Sequence, residues 1–320
     1  MREASRCDKI GSFHVMALLE RAQALEAAGH DVIHLEVGEP DFATPPAITA
    51  AGQQALAAGA TRYSPAAGLP ALRQALADDY ARRFQVRVSP EQILLTPGAS
   101  GALQLAMALL VNPGDGVLLA DPGYPCNRHF LALVNGQAQP MRLPADLRVT
   151  AELVDKSWQD NTVAALLASP DNPTATVLSA AELSAVAGVV RQRQGALVVD
   201  EIYQGLVYDS PALSVLSVAD DALVINSFSK FFGMTGWRLG WLVAPAEVVP
   251  ALERMAQNFF LAPPTVAQHA ELAAFEPETL ELLEQRRQEL ARRRAYLLAE
   301  LPGLGLSGCG DPGGAFYLYL

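Results

Sequence analysis

Six short apolar runs between Gln92 and Ala244 predict buried strands. The runs are nearly continuous in apolar residues rather than alternating, which is typical of strands covered on both faces. Stretches with helical spacing lie between several of them, so the pattern predicts a largely parallel sheet with right-handed crossovers. The predicted strands cover residues 92–96, 116–120, 163–169, 196–200, 222–226 and 239–244.

Apolar residues at helical spacing predict helices within this region and on both sides of it. Near the N-terminus, the segment DVIHLEVGEPDF at 31–42 predicts a short strand and a turn. Close to the other end, the charged stretch EQRRQELARRRA predicts a solvated helix face. The predicted helices cover residues 14–29, 46–58, 69–84, 100–111, 125–134, 180–194, 246–260, 264–275 and 277–301.

Composition narrows the class of protein. Of the 320 residues, 51% are hydrophobic and 18% are charged, which excludes a disordered chain. A net charge of −11 argues against nucleic acid or anionic lipid as a main partner. Cys7, Cys126 and Cys309 are too few and too far apart to predict a disulfide framework or a metal site. No uncharged apolar run reaches the ~20 residues of a membrane span, and we expect a cytoplasmic protein with no membrane segment.

Polar side chains follow several predicted strands, where ligands bind in open α/β sheets. TPGASGAL at 96–103 offers the N–H groups of a helix start together with Ser100, which we expect to cap that helix and to help bind phosphate. Tyr124 in DPGYP has a ring that can stack on a flat ligand. Asn172 in SPDNPTAT offers an amide. Each motif taken alone also fits an ordinary turn.

Asp200 and Lys230 carry the more specific chemistry. Asp200 ends a wholly apolar run, so its carboxylate is expected to have a partner, with a helix cap as the alternative. Lys230 is one of only three lysines and lies among Phe, Gly, Met and Trp. Burial and the nearby Arg238 would lower its pKa and leave a nucleophilic amine. Pyridoxal phosphate (PLP) combines an aldehyde, a phosphate, a flat ring and a ring nitrogen, and so fits all these groups.

The order of these motifs resembles the class I/II PLP-dependent aminotransferases, the aspartate aminotransferase-like proteins of fold type I. The resemblance covers essentially the whole chain. It implies an α/β fold with a mainly parallel sheet covered by helices on both faces, and a smaller α/β domain formed by both chain ends. Residues 1–45 would belong to the small domain, 46–275 to the large PLP-binding domain and 276–320 to the truncated C-terminal part of the small domain. The matching stretches are LEVGEPDF, TRYSPAAGLPALRQAL, TPGASGAL, DPGYP, SPDNPTAT, VVDEIY and SFSKFFGMTGWRLGW.

The resemblance also implies a role for each site residue. Lys230 would form the Schiff base with PLP and move protons, and Asp200 would pair with the pyridine nitrogen. Tyr203 and Asn172 would bind the phenolic oxygen of PLP, while Tyr124 would stack on its ring.

The remaining implied contacts concern the phosphate, the substrate and the subunit interface. Tyr63 would reach the phosphate of the neighbouring subunit, which implies a homodimer. Gly38 and Asn172 would lie beside the substrate carboxylate. The phosphate of the same subunit would be bound by Ala99, Ser100, Ser227, Ser229 and Arg238.

Two departures from the family pattern stand out. Ala175 replaces the glycine of the usual NPTG motif, and we expect that this position avoids a positive φ and that the change does little harm. The family continues past GGAFYLYL into a segment that supplies an arginine for the substrate carboxylate. No arginine follows Arg294 here, so we expect that clamp to be missing from these 320 residues.

The sequence thus predicts an aminotransferase that moves an amino group from an amino acid to a 2-oxo acid. A carbon–sulfur lyase of the same fold, using the same lysine, is the alternative enzyme. A non-catalytic PLP-binding regulatory domain is a further alternative, disfavoured by the acidic net charge and by the lack of a basic DNA-binding segment in front.

Overall fold

A seven-stranded sheet forms the centre of the computed structural model, which describes residues 2–308 and 310–320. The strands are β1 (Ile93–Thr96), β2 (Gly116–Asp121), β3 (Gln137–Arg142), β4 (Thr162–Ala168), β5 (Ala196–Asp200), β6 (Leu223–Ser227) and β7 (Gly240–Val243). Their order across the sheet is β1-β7-β6-β5-β4-β2-β3. β7 runs antiparallel to β1 and β6, and the other neighbouring pairs are parallel, which confirms the largely parallel sheet.

Helices cover both faces of the sheet, as predicted. Successive strand residues point to opposite faces, so Leu94 and Leu95 belong to two different apolar clusters. In the part of the chain that the structure describes, the α-helices are α1 (His14–Ala27), α2 (Pro46–Ala57), α3 (Pro70–Phe84), α4 (Gly98–Leu110), α5 (Asn127–Leu133), α6 (Ala151–Ser157), α7 (Ala180–Gln192), α8 (Val249–Phe259), α9 (Thr265–Glu271) and α10 (Pro277–Glu300).

One predicted strand is wrong, and one strand and one α-helix of the described residues were not predicted. Residues 31–35 form no strand, and Ile33 and Leu35 are 84% and 91% exposed. A strand needs a neighbour for its backbone groups, and no strand among the described residues pairs with this segment. Strand β3 lacks a strong apolar signal because it lies at the sheet edge, with exposed and buried residues alternating at its end. Helix α6 lacks one because it has seven residues and buries only Val154.

None of the described helices has both the length and the apolar character needed to cross a lipid bilayer.

Candidate active site

A cavity of about 440 Å³ opens where β4, β5 and β6 end and α4 begins. All but one of the predicted site residues line it, namely Gly38, Ala99, Ser100, Tyr124, Asn172, Asp200, Tyr203, Ser227, Ser229, Lys230 and Arg238. The exception is Tyr63, which is 81% exposed on the surface. The fold therefore brings together predicted residues that are up to 200 positions apart in sequence, Gly38 and Arg238.

The start of α4 and Arg238 form one side of the cavity. Gly98 has a φ of +70°, and a Cβ atom there would lie 2.6 Å from Nη2 of Arg238. The guanidinium therefore packs against the helix start, where free N–H groups favour an anion. Ser100 lies in the first turn of α4, whereas Pro97 holds the cap position, so the prediction that Ser100 caps the helix is wrong.

Ser227 and Ser229 form the adjoining part of this anion-binding corner. The Ser227 hydroxyl lies 2.9 Å from the Ser229 hydroxyl and 3.0 Å from the Leu239 carbonyl oxygen. It also accepts the Ser229 N–H at 3.1 Å. These bonds tie the end of β6 to Leu239, the residue between Arg238 and β7. Ser227, Ser229 and Arg238 line the same cavity, and such a set suits a phosphate.

Lys230 is the buried amine of the cavity. Its Nζ donates a hydrogen bond of 2.5 Å to the Gly38 carbonyl oxygen. Burial lowers the pKa of Lys230 to about 8; Arg238 acts in the same direction, while Glu39 and Asp200 act against it. About a tenth of the amine is therefore uncharged at pH 7, compared with well under a thousandth for an ordinary lysine, and the uncharged form is the one that attacks a carbonyl carbon.

Asp200 is the buried acid of the cavity. Its Oδ1 accepts the Ile202 N–H at 3.0 Å. Burial raises the pKa of Asp200 to about 7, Asp171 adds to the rise, and the Ile202 N–H and Lys230 oppose it. A cationic ligand group beside Asp200 would favour its ionised form and so find a partner there.

Three polar side chains meet on the remaining wall. The hydroxyls of Tyr203 and Tyr317 lie 2.7 Å apart. The Asn172 amide nitrogen lies 3.4 Å from the Tyr203 hydroxyl and 3.3 Å from the Tyr317 hydroxyl. Sequence reasoning found Tyr203 and Asn172 and missed Tyr317, whose only signal was an aromatic cluster after two glycines.

Other lining residues were also missed because they carry no strand-end signal. Phe13 packs edge-on against the ring of Tyr124 with centroids 6.5 Å apart. Glu36 and Thr235 add polar atoms to the lining, and Val15 and Met16 add apolar surface.

The loop after β4 corrects the expectation for Ala175. This alanine is fully buried and has a φ of +59°, so it does not avoid the left-handed region. Two backbone hydrogen bonds are made in this conformation: the Ala175 N–H donates to the Asp171 carbonyl at 2.9 Å, and the Ala175 carbonyl accepts the Gly314 N–H at 3.0 Å. The strain of about 1 kcal/mol is offset by burying the methyl group, which contributes ~0.8 kcal/mol.

Comparison with known proteins identifies the family. Residues 30–320 match the family described as aminotransferase class I and II. The chain belongs to the class I and II aminotransferases. Members of this family depend on PLP, and this chain is a PLP-dependent aminotransferase of fold type I.

Similar aminotransferases come from distant organisms. The (5-formylfuran-3-yl)methyl phosphate transaminase of Methanocaldococcus jannaschii is 33% identical over 311 residues, which are 96% of this chain and 81% of that protein. Valine–pyruvate aminotransferase of Mycobacterium tuberculosis is 35% identical over 314 residues, 96% of this chain and 80% of the relative. The structure of Thermus thermophilus aspartate aminotransferase with maleate has a TM-score of 0.94 at 33% identity, covering 99% of this chain and 85% of that one.

The cavity of this aminotransferase fits its cofactor. The start of α4, Ser229 and Arg238 offer hydrogen-bond donors for a phosphate. The glycine at position 98 lets the Arg238 guanidinium lie close to the helix start, because a Cβ there would collide with it. Lys230 has an amine of the kind that would react with an aldehyde, Asp200 has an acid that would suit a ring nitrogen, and Tyr124 has an aromatic face, and all three line the cavity. The names of the relatives favour amino transfer, and nothing here favours the carbon–sulfur lyase or the regulatory domain.

Proposed function

We propose that Lys230 holds the cofactor and carries protons while an amino group moves from an amino acid to a 2-oxo acid. The observation that supports this role is a buried amine in the wall of the cavity, with a pKa lowered by burial to about 8. PLP, when bound, supplies the electron sink for bond breaking at the substrate Cα. An amine that is part neutral and part protonated near pH 8 is suited both to attack a carbonyl and to exchange protons.

The neighbouring side chains orient the cofactor and the substrate. Asp200 would pair with the ring nitrogen, since burial leaves this carboxylate in need of a cation. Tyr203 and Asn172 would donate to the phenolic oxygen, and Tyr124 would stack on the ring. Gly38, together with the Asn172 amide, would lie beside the substrate carboxylate.

The phosphate would be bound by charge-assisted hydrogen bonds. Arg238 and the N–H groups at the start of α4, including those of Ala99 and Ser100, offer positive charge and donors. The hydroxyls of Ser227 and Ser229 complete the set.

We also propose a homodimer in the cytoplasm. Tyr63 is 81% exposed in the single chain although it resembles a phosphate-binding tyrosine, and a site across a two-fold interface would account for both facts. The sparse cysteines support a reducing compartment.

Covalent labelling tests the role of Lys230. Purified protein incubated with PLP should turn yellow, and borohydride reduction should fix the cofactor to the peptide that contains Lys230. Lys230→Ala should lose label and at least ~1,000-fold in amino transfer, because one side chain provides both nucleophile and proton carrier. The exposed Lys156 gives the matched control, and Lys156→Ala should label normally. Label recovered on Lys156 or Lys9 instead would contradict the assignment.

A further inference from the structure

The hydroxyl of Tyr317 completes a triangle with Tyr203 and Asn172. The 2.7 Å between the two hydroxyls is a strong hydrogen bond, whereas the two amide contacts, at 3.3 and 3.4 Å, are long. A side chain at Gly38 would collide with the Tyr317 hydroxyl. Tyr317 therefore packs against the backbone segment whose carbonyl accepts the Lys230 hydrogen bond.

The C-terminal segment that carries Tyr317 is held in place by backbone bonds. Gly314 donates to the Ala175 carbonyl at 3.0 Å, and Ala315 donates to the Leu206 carbonyl at 2.8 Å. The Tyr208 N–H donates to the Gly313 carbonyl at 3.0 Å, and the Tyr208 hydroxyl bonds to the Ala315 carbonyl. The segment is thereby fixed to the loops that carry Asn172 and Tyr203.

Aromatic packing fixes the ring as well as the backbone. The rings of Phe316 and Tyr317 both lie edge-on to Tyr203, each with centroids 5.6 Å from it. Loss of the hydroxyl alone would leave this packing in place, so a Phe at position 317 keeps the ring where it is.

A count of protons shows what the triangle leaves free. The amide of Asn172 has two N–H groups, and each hydroxyl has one O–H. Within the triangle, the three contacts use both amide protons and one hydroxyl proton, so one hydroxyl proton remains to be donated into the cavity. The two amide contacts are long, so Asn172 can exchange one of them for a bond to the phenolic oxygen. The Tyr317 hydroxyl lies against Gly38, whereas Tyr203 is the tyrosine that the proposed function places on the phenolic oxygen of the cofactor, so the remaining proton is assigned to Tyr203.

We propose that Tyr317 is a positioning residue whose hydroxyl donates to Tyr203 and so directs the Tyr203 O–H at the phenolic oxygen of the cofactor. A hydroxyl that accepts one hydrogen bond becomes a better donor in the next, so Tyr317 also strengthens that contact. The inference rests on the proposed placement of PLP in this cavity.

The experiment measures the pH at which the visible absorption band of the PLP-loaded protein titrates. Deprotonation of the lysine–cofactor linkage removes the cation beside the phenolic oxygen, so a donor on that oxygen favours the deprotonated form. Weakening the donor should raise the midpoint of the titration. Tyr317→Phe should raise it by about half a pH unit, and Tyr203→Phe by about one unit or more.

The charged neighbours do not change in this comparison. Asp200, Lys230, Arg238 and Glu36 line the same cavity and Glu39 acts on Lys230, and all are retained in every variant. Tyr208→Phe is the matched control, because it removes a hydroxyl that holds the same C-terminal segment without lining the cavity. It should leave the midpoint of the band unchanged even where it lowers the melting temperature.

A double-mutant cycle separates positioning from a direct contact. If Tyr317 acts through Tyr203, Tyr317→Phe should have no further effect in the Tyr203→Phe background. An unmoved midpoint in the single variant, a lowered one, or an equal shift in both backgrounds would overturn the inference. Failure of the wild-type protein to develop the band with PLP would overturn the proposed function itself, and the inference with it.

Discussion

At the scale of single residues, Glu271 is a buried carboxylate that does not line the active-site cavity. It lies at the end of α9, is fully buried, and neither of its carboxylate oxygens has a hydrogen-bond partner. Burial raises its pKa well above the ordinary value of 4.5. The folded chain therefore holds this proton more tightly than the unfolded chain does.

Replacing Glu271 should change how stability depends on pH. The raised pKa means that the wild-type chain loses stability as pH rises from 4.5 toward the folded pKa, by up to ~1.4 kcal/mol per pH unit. Glu271→Met has no proton to lose, and its apolar side chain suits the site. The melting temperature of the variant minus that of the wild type should therefore increase from pH 5 to pH 8.

The control for this comparison is Glu281→Met in α10, at an exposed position. It should follow the pH profile of the wild type, because its carboxylate faces water. A Glu271→Met curve that runs parallel to the wild type over the whole range would show that Glu271 finds a partner in solution.

At the scale of elements, the end of α3 contains a conformation that its sequence does not favour. Gln85 follows Phe84 with φ +57° and ψ +29°, the left-handed region, and its side chain is exposed. Gln85→Gly should stabilise the chain by about 0.5–1 kcal/mol, since glycine adopts this conformation without a Cβ clash. Gln85→Ala keeps the Cβ and should gain almost nothing, so equal urea midpoints for the two variants would contradict this account.

The sheet could be predicted where apolar runs are continuous and not elsewhere. β5 and β6 are buried on both faces, and their sequences therefore contain nearly continuous apolar runs such as ALVVD. β3 could not be predicted, because an edge strand needs apolar residues only on its covered face and tolerates Pro140. The opposite error arose at Ile33 and Leu35, where a strand-like pattern has no neighbouring strand to pair with.

The candidate site could be predicted where it depends on residues just after a strand. Asp200 and Lys230 were found in this way, because the ends of parallel strands converge at one edge of the sheet. Tyr317 and the strained Ala175 could not be found, since their positions depend on the contact between the 169–176 loop and the C-terminal segment. That contact is tertiary and leaves no local pattern in the sequence.

At the scale of the whole molecule, Tyr63 allows the homodimer to be tested by mixing inactive subunits. Tyr63→Ala alone should weaken PLP binding at both sites of a dimer, and Lys230→Ala alone should abolish turnover. In a hybrid of the two, the subunit that retains Lys230 receives an intact Tyr63 from its partner. Random pairing should restore about a quarter of wild-type turnover when PLP is limiting.

The control for the hybrid is a mixture of Lys230→Ala with Asp200→Ala. The predicted roles of both residues lie within one chain, in which they line the same cavity. Each hybrid then contains one site without Lys230 and one without Asp200, so no complete site forms and activity should stay near that of the separate variants. A Tyr63 mixture that is no more active than its components would argue against a shared site.

The antiparallel strand β7 has a consequence for how the chain is made on the ribosome. Thr96 of β1 pairs with Gly240 of β7, and β7 then joins β1 to β6. At 5–20 residues per second, β1 leaves the ribosome on the order of ten seconds before β7, its neighbour in the sheet. During that interval the nascent chain exposes the open edge of β1, and the edge of β6 is added for about one second at its end. Open strand edges are surfaces for mispairing and for chaperone binding. Because Gly98 follows β1 and Arg238 precedes β7, the proposed phosphate-binding corner is completed only when β7 inserts. We therefore expect a growing chain to acquire its cofactor only after its sheet has closed.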